Sequence, residues 1–88
     1  MPTATLTLIG KPGCHLCDVA REVVDVVVAE LEGVASAPEI VLTELSILDD
    51  AELYDKYVEK IPVLLLNGRV HNIWRVDPTR LRTAILEV

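Results

Sequence analysis

Aromatic side chains are nearly absent from this sequence. Phenylalanine is missing, and one tryptophan and two tyrosines bring the aromatic share to only 3%. The apolar share is nevertheless 51%, so a buried core has to be built from valine, leucine and isoleucine. A chain this apolar is not expected to be disordered, because disorder goes with low hydrophobicity. At 88 residues, we expect a single domain that spans residues 1–88.

Basic side chains are also scarce. Eight Lys and Arg stand against 14 Asp and Glu, which gives a formal net charge of −6. This balance argues against a nucleic-acid partner, which calls for clustered basic residues. It would also repel an anionic membrane surface. We therefore expect neither nucleic acid nor membrane among the partners.

Long apolar runs are missing as well. No run approaches the ~20 residues that a membrane-spanning helix needs. The first residues lack the charged start and apolar stretch of a signal peptide and lead directly into a strand pattern. These features predict a cytoplasmic protein. In that reducing compartment a structural disulfide is unusual, so a C-x-x-C pair near a βαβ pattern indicates redox chemistry.

The only two cysteines, Cys14 and Cys17, lie between a strand pattern and a helix pattern. Their spacing is close to one helical turn, which places both sulfurs on the same side of the first turn. The unpaired N–H groups and the positive dipole end of a helix N-terminus favour the thiolate, which is the nucleophile. The segment 11–17 therefore predicts a dithiol that attacks disulfides.

Hydrophobic periodicity predicts the first half of the fold. Alternation over residues 3–9 predicts a strand with one face inward. The apolar stripe over residues 16–31 predicts an amphipathic helix, for which Gly33 is a plausible stop. Residues 40–47 mix apolar and polar side chains, which predicts a second strand at a sheet edge.

The second half contains strong turn and capping signals. Asn67-Gly68 is a hairpin signal, and Asp77-Pro78 is an N-cap followed by a favourable first helical residue. A short helix is predicted to be capped by Asp49 or Asp50 and to run to about Tyr57, with an inward face formed by Leu53, Tyr54, Tyr57 and Val58. A strand buried on both faces is predicted at 63–66, and a return strand at 69–74. We expect Trp74 to pack between the last strand and the last helix. The order is βαβαββα, an α/β fold with a four-stranded mixed sheet flanked by helices.

These residues resemble the thioredoxin superfamily, and its glutaredoxin-like branch in particular. The resemblance covers nearly the whole chain and rests on the segment 11–17, on Ile61-Pro62-Val63 before a hairpin, and on the element order. It implies a thioredoxin-like fold in which Cys14 attacks and Cys17 resolves the mixed disulfide. It also implies that Pro62 is a cis proline beside the disulfide and that the backbone of Ile61 pairs with bound peptide or glutathione.

The resemblance extends to the loop before the first cysteine. Lys11, Pro12 and Gly13 resemble the lysine and small loop of glutaredoxins, so Lys11, Gly13 and His15 join Ile61 and Pro62 as predicted substrate-binding residues. Lys11 would meet a substrate carboxylate. A protonated His15 would stabilise the Cys14 thiolate, whereas a neutral one would be only a polar loop residue. Asp18 acts in the opposite sense, since a nearby carboxylate raises the pKa of a thiol.

Three features of the sequence depart from the family pattern. The glycine pair with which glutaredoxins hold glutathione is replaced by residues 72–77, which contain no glycine. His15-Leu16 differs from the Pro-Tyr of glutaredoxins and the Gly-Pro of thioredoxins. Leu8 occupies the position of the buried acid of thioredoxins. The resemblance therefore supports dithiol chemistry more strongly than glutathione use.

The sequence predicts a glutaredoxin-like thiol–disulfide oxidoreductase that reduces protein or glutathione mixed disulfides and acts as a monomer. No tightly bound cofactor is expected, with glutathione or a thioredoxin reductase system as the source of electrons. No metal site is expected, because a C-x-x-C pair is half of a zinc site and only His15 and His71 could add to it. The alternative is a non-catalytic thioredoxin-fold adaptor, or an iron–sulfur or metal carrier, that uses the same cysteines.

Overall fold

Local sequence signals set the bounds of the helices and strands in the computed structural model, which describes residues 2–88. The elements are β1 (Thr3–Gly10), α1 (His15–Glu32), β2 (Glu39–Ser46), α2 (Ala51–Tyr57), β3 (Val63–Leu66), β4 (Arg69–Ile73) and α3 (Pro78–Leu86). Asp50 caps α2, Asp77 caps α3 and Gly33 ends α1. The predicted order βαβαββα is confirmed, with one added 3-10 turn at Ile47–Asp49.

The four strands form one mixed sheet in the order β2-β1-β3-β4. β1 runs parallel to β2, as expected for two strands joined by a crossover helix, and antiparallel to β3. β3 and β4 form the predicted hairpin, in which Asn67 and Gly68 both have positive φ. The predicted edge position of β2 is confirmed.

Apolar side chains cover the sheet on both faces. Ala4, Leu6 and Leu8 of β1 point to the face on which α1 and α3 pack, and the alternating Thr3 and Thr5 are exposed. The other face carries a smaller cluster formed by Ile9, Ile47, Tyr57 and Val63. Among the described residues the core is aliphatic except for Cys17 and Tyr57, as the composition predicts.

Several predicted positions are wrong. Ile47 leaves β2 and starts the 3-10 turn, and β4 ends at Ile73 rather than at Trp74. Tyr54 is exposed, because Leu53 and Tyr57 define the inward face of α2 and Tyr54 is turned about 100° from Leu53. Leu16 is exposed for the same reason, since the neighbouring Cys17 occupies the inward stripe of α1.

β3 is only partly buried. Val63 and Leu64 are fully buried, as predicted, but the two residues next to the hairpin turn, Leu65 and Leu66, are half-buried.

Within residues 2–88, no helix combines the length and the apolar character needed to cross a membrane.

Candidate functional site

The two cysteines lie where β1 passes into α1. The chain leaves the sheet at Gly10, turns through residues 11–13 with Gly13 at a φ of 75°, and enters α1 after Cys14. Cys14 is the N-cap of α1 and is bonded to Cys17 in a disulfide, with the two Cα atoms 5.2 Å apart. The spacing that suggests one helical turn therefore does bring the sulfurs together.

The helix N-terminus polarises the Cys14 sulfur. Its Sγ atom accepts a hydrogen bond from the backbone N–H of Cys17 at 3.2 Å. In the reduced protein the same donor and the dipole of the 18-residue helix α1 would stabilise a thiolate at this position. Cys14 is half-buried, whereas Cys17 is 1% exposed, so Cys14 is the more accessible of the two cysteines.

Gly10 lies directly against the Cys17 side chain, a contact that sequence reasoning missed. A Cβ atom at position 10 would lie 2.8 Å from the Cys17 Sγ atom. Real Cβ atoms do not approach that closely, so only glycine leaves space for this sulfur. The only sign of this contact in the sequence is a glycine at the end of a strand, and a glycine there is also typical of an ordinary turn.

The loop before β3 carries the two predicted residues from the far half of the chain. The peptide bond between Ile61 and Pro62 is cis, as the family resemblance implies, and Pro62 is buried. Because Val63 pairs with Ile9, Pro62 follows the register to the end of β1 where Gly10 lies. The N–H of Ile61 donates to the Tyr57 carbonyl at 3.1 Å, so this N–H group is already bonded within the protein.

Trp74 is placed differently from the prediction. Its side chain is 52% exposed rather than packed between the last strand and the last helix. Its backbone N–H donates to the Pro62 carbonyl at 2.8 Å, and its indole Nε1 donates to the Glu59 carbonyl at 3.2 Å. Trp74 has a φ of 64°, and with these two bonds it holds the loop that carries Pro62.

A charged cleft of about 380 Å³ lies against Cys17. The exposed Lys11 lines it, together with Asp18, Arg21 and Glu44. Arg21 is hydrogen-bonded to Asp18 at 2.9 Å and also to Glu44, and the Glu44 bond is the largest cause of the raised pKa of Arg21. The guanidinium therefore offsets the Asp18 charge that the sequence predicted would oppose a Cys14 thiolate.

The two histidines lie on different elements. His15 is exposed and lines a hollow of about 400 Å³ on the side of α1 where Trp74 lies. His71 lies on β4, away from the loop, and Arg80 donates to its carbonyl. Across residues 2–88, no three His, Cys, Asp or Glu side chains converge as a metal site would require.

Comparison with known protein families agrees with the fold described above. A model of the family described as Glutaredoxin-like domain (DUF836) matches residues 5–86. The chain belongs to this glutaredoxin-like family. Its thioredoxin-like fold and its Cys14–Cys17 pair together support a redox-type function for this glutaredoxin-like protein.

Solved structures share the fold of this glutaredoxin-like chain. A structural-genomics target protein from X. campestris, XcR50, is 32% identical with a TM-score of 0.67, over 94% of this chain and 97% of that one. Protein Ne2328 from Nitrosomonas europaea is 18% identical with a TM-score of 0.69, over 97% and 94%. Oxidised mitochondrial thioredoxin 3 from Saccharomyces cerevisiae is 11% identical with a TM-score of 0.65, over 97% and 78%. A search of curated proteins found no match.

Proposed function

We propose that this protein is a thiol–disulfide oxidoreductase that reduces disulfides through Cys14 and Cys17. The observation that carries the proposal is the position of Cys14 as the N-cap of α1, with its sulfur accepting the Cys17 N–H. A structural cysteine pair would not need a partly exposed cysteine at a helix N-terminus, where the thiolate is favoured.

The reaction is two successive thiol–disulfide exchanges. The Cys14 thiolate attacks one sulfur of the substrate disulfide, so a Cys14–substrate bond forms and the substrate bond breaks. The first substrate thiolate leaves and takes up a proton. The Cys17 thiolate then attacks the Cys14 sulfur, which closes the Cys14–Cys17 disulfide and releases the second substrate thiolate. Two electrons pass from the protein to the substrate.

An external reductant has to reset the pair. We propose either glutathione or a thioredoxin reductase as the source of these electrons, acting in a reducing compartment such as the cytoplasm. The −6 net charge gives no reason to invoke nucleic acid or an anionic membrane surface, so the proposed partners are the disulfide substrate and its reductase system.

The decisive experiment follows NADPH consumption with a small mixed disulfide in two coupled systems. One contains glutathione and glutathione reductase, and the other contains thioredoxin reductase. We expect turnover in one of them, complete loss in Cys14→Ser, and accumulation of a stable mixed disulfide in Cys17→Ser, detected by mass spectrometry. Full activity in Cys14→Ser would overturn the proposal.

No NADPH consumption by the wild-type protein in either system would also overturn the proposed function. The adaptor or carrier alternative would then be examined through the colour and iron content of the purified protein. A Cys14 thiol that titrates near the free value of ~8.5 would point to the adaptor, because an unperturbed thiol gains nothing from the helix N-terminus.

A further inference from the structure

The helix α1 carries two parallel apolar stripes, and only one of them is used by the core. The buried stripe consists of Cys17, Ala20, Val24, Val27 and Leu31. The second, which we call the outer stripe, consists of Leu16, Val19, Val23 and Val26, each one residue before a member of the first. Spacings of three and four residues place these four side chains in one row on the helix surface.

The outer stripe is open to solvent. Leu16 and Val19 are each 42% exposed, Val26 is 56% exposed and Val23 is half-buried. Two hollows of about 400 and 290 Å³ follow the row and share Val23. Their opposite wall is formed by Trp74, Val76 and Pro78 from the segment that joins β4 to α3. Contiguous exposed apolar surface of this kind marks an interaction site more often than isolated surface residues do.

The outer stripe begins at the disulfide. Leu16 lies between the two cysteines in sequence, and His15 and Leu16 both line the hollow at this end. A chain whose sulfur reaches Cys14 can therefore place its neighbouring residues next to the stripe. From Leu16 to Val26 the helix rises about 15 Å, which matches four or five residues of an extended chain and exceeds a tripeptide such as glutathione.

Charge at this end also distinguishes among occupants. Among residues 2–88, the larger hollow is lined by two residues that can carry positive charge, His15 and Arg75, and by no carboxylate, whereas Glu22 lines the smaller hollow farther along the helix. This local balance is opposite in sign to the −6 of the whole chain. An acidic residue close to the substrate cysteine would complement it, whereas a basic residue would not.

We propose that the outer stripe and its Trp74 wall bind the extended segment that flanks a disulfide cysteine of a protein substrate. The segment presents bulky apolar side chains to Leu16, Val19 and Val23 and an acidic residue to His15 and Arg75. This inference rests on the proposed function and names its substrate class: protein disulfides in apolar segments rather than glutathione disulfides.

The test measures the first exchange alone, in a Cys17→Ser background where Cys14 is the only thiol. Two peptides are compared. Each contains a cysteine that forms a mixed disulfide with a chromophoric thiol, and each carries a five-residue extension next to that cysteine. One extension contains leucines and an aspartate, and in the other serines replace the leucines. Attack by Cys14 forms the protein–peptide disulfide and releases the coloured thiolate. Glutathione with the same chromophoric leaving group is the reference.

We expect the leucine peptide to react about tenfold faster than the serine peptide, because burial of a single leucine supplies a difference of this size. Val19→Ser should bring the ratio close to one. The matched control is Val34→Ser, which removes a valine of similar exposure, 40%, beyond the far end of α1. It should leave the ratio and the glutathione rate unchanged.

Failure of this inference and failure of the proposed function give different results in this experiment. Equal rates for the two peptides in the wild-type background, or an unchanged ratio in Val19→Ser, overturn this inference and leave the proposed function standing. No release of colour from any of the three substrates overturns the proposed function itself. A shift of sedimentation from dimer to monomer in Val19→Ser, with equal peptide rates, would show that the stripe binds a second copy instead.

Discussion

At the scale of single residues, Gly10 determines where the Cys17 sulfur lies. The backbone of position 10 and the Sγ atom are so close that a methyl group has no space between them. Cys17 has to reach the Cys14 sulfur across a Cα–Cα distance of 5.2 Å to form the disulfide. In the proposed reaction, a displaced Cys17 side chain would therefore slow the second exchange and not the first.

We predict that Gly10→Ala lengthens the lifetime of the mixed disulfide between Cys14 and substrate by about tenfold or more, because small misplacements of a reacting group carry costs of this order. Rapid acid quenching followed by mass spectrometry measures that lifetime. Gly33→Ala is the matched control, since a Cβ there meets nothing within 4 Å and the φ of −88° suits alanine. Equal lifetimes in the two variants would contradict the prediction.

At the scale of elements, the β3–β4 hairpin is bonded to β1 through Asn67. Its φ of 50° is in the left-handed region, as the tight turn requires. Its backbone N–H donates to the Thr5 carbonyl and its side-chain Oδ1 accepts from the Thr5 N–H, both at 2.8 Å. The side chain thereby extends the pairing of β1 with β3 by one further hydrogen bond.

We predict that Asn67→Ala lowers the free energy of unfolding by about 2 kcal/mol, from about 1 for the left-handed backbone and about 1 for the lost hydrogen bond. Asn67→Gly keeps the backbone conformation accessible and loses only the bond, so its loss should be about 1 kcal/mol. Urea denaturation of the three proteins measures this order. Equal stability of the alanine and glycine variants would refute the backbone part of the argument.

At the scale of the whole molecule, stability should depend on pH through His71. Burial is the main cause that lowers the pKa of His71 below 6.5, and the charge of Arg80 adds to it, while Asp77 acts in the opposite direction. The His71 Nε2 atom is buried without a hydrogen-bond partner among residues 2–88. Folding therefore favours the neutral imidazole.

Above the unfolded pKa of 6.5 both states are neutral at His71, so this residue costs nothing there. As the pH falls through that value, the unfolded chain binds a proton that the folded chain does not, and stability decreases until the lowered pKa of the folded state is reached. We predict a larger loss of unfolding free energy between about pH 7.5 and about pH 5.5 in the wild type than in His71→Gln. A loss in His71→Gln that equals or exceeds the loss in the wild type would disprove the assignment.

Much of this protein could be predicted from the sequence because the signals are local. The alternation of β1, the stripe of α1, the caps at Asp50 and Asp77, and the Asn67-Gly68 turn depend on neighbours within a few residues. The dithiol followed from a spacing of one helical turn, and the structure places Cys14 and Cys17 accordingly. The catalytic and substrate-binding roles of these and the other named residues stay predictions.

Tertiary structure alone decided which apolar side chains the core uses. Leu16 and Cys17 are adjacent in sequence and both apolar, yet only Cys17 is buried and lies against β1, because the packing of α1 on the sheet fixes the rotation of the helix. The contact of Gly10 with the Cys17 sulfur and the bonds of Trp74 to Pro62 and Glu59 join separate segments of the chain. No local pattern encodes such contacts, since they exist only once the strands have paired and the helices have packed.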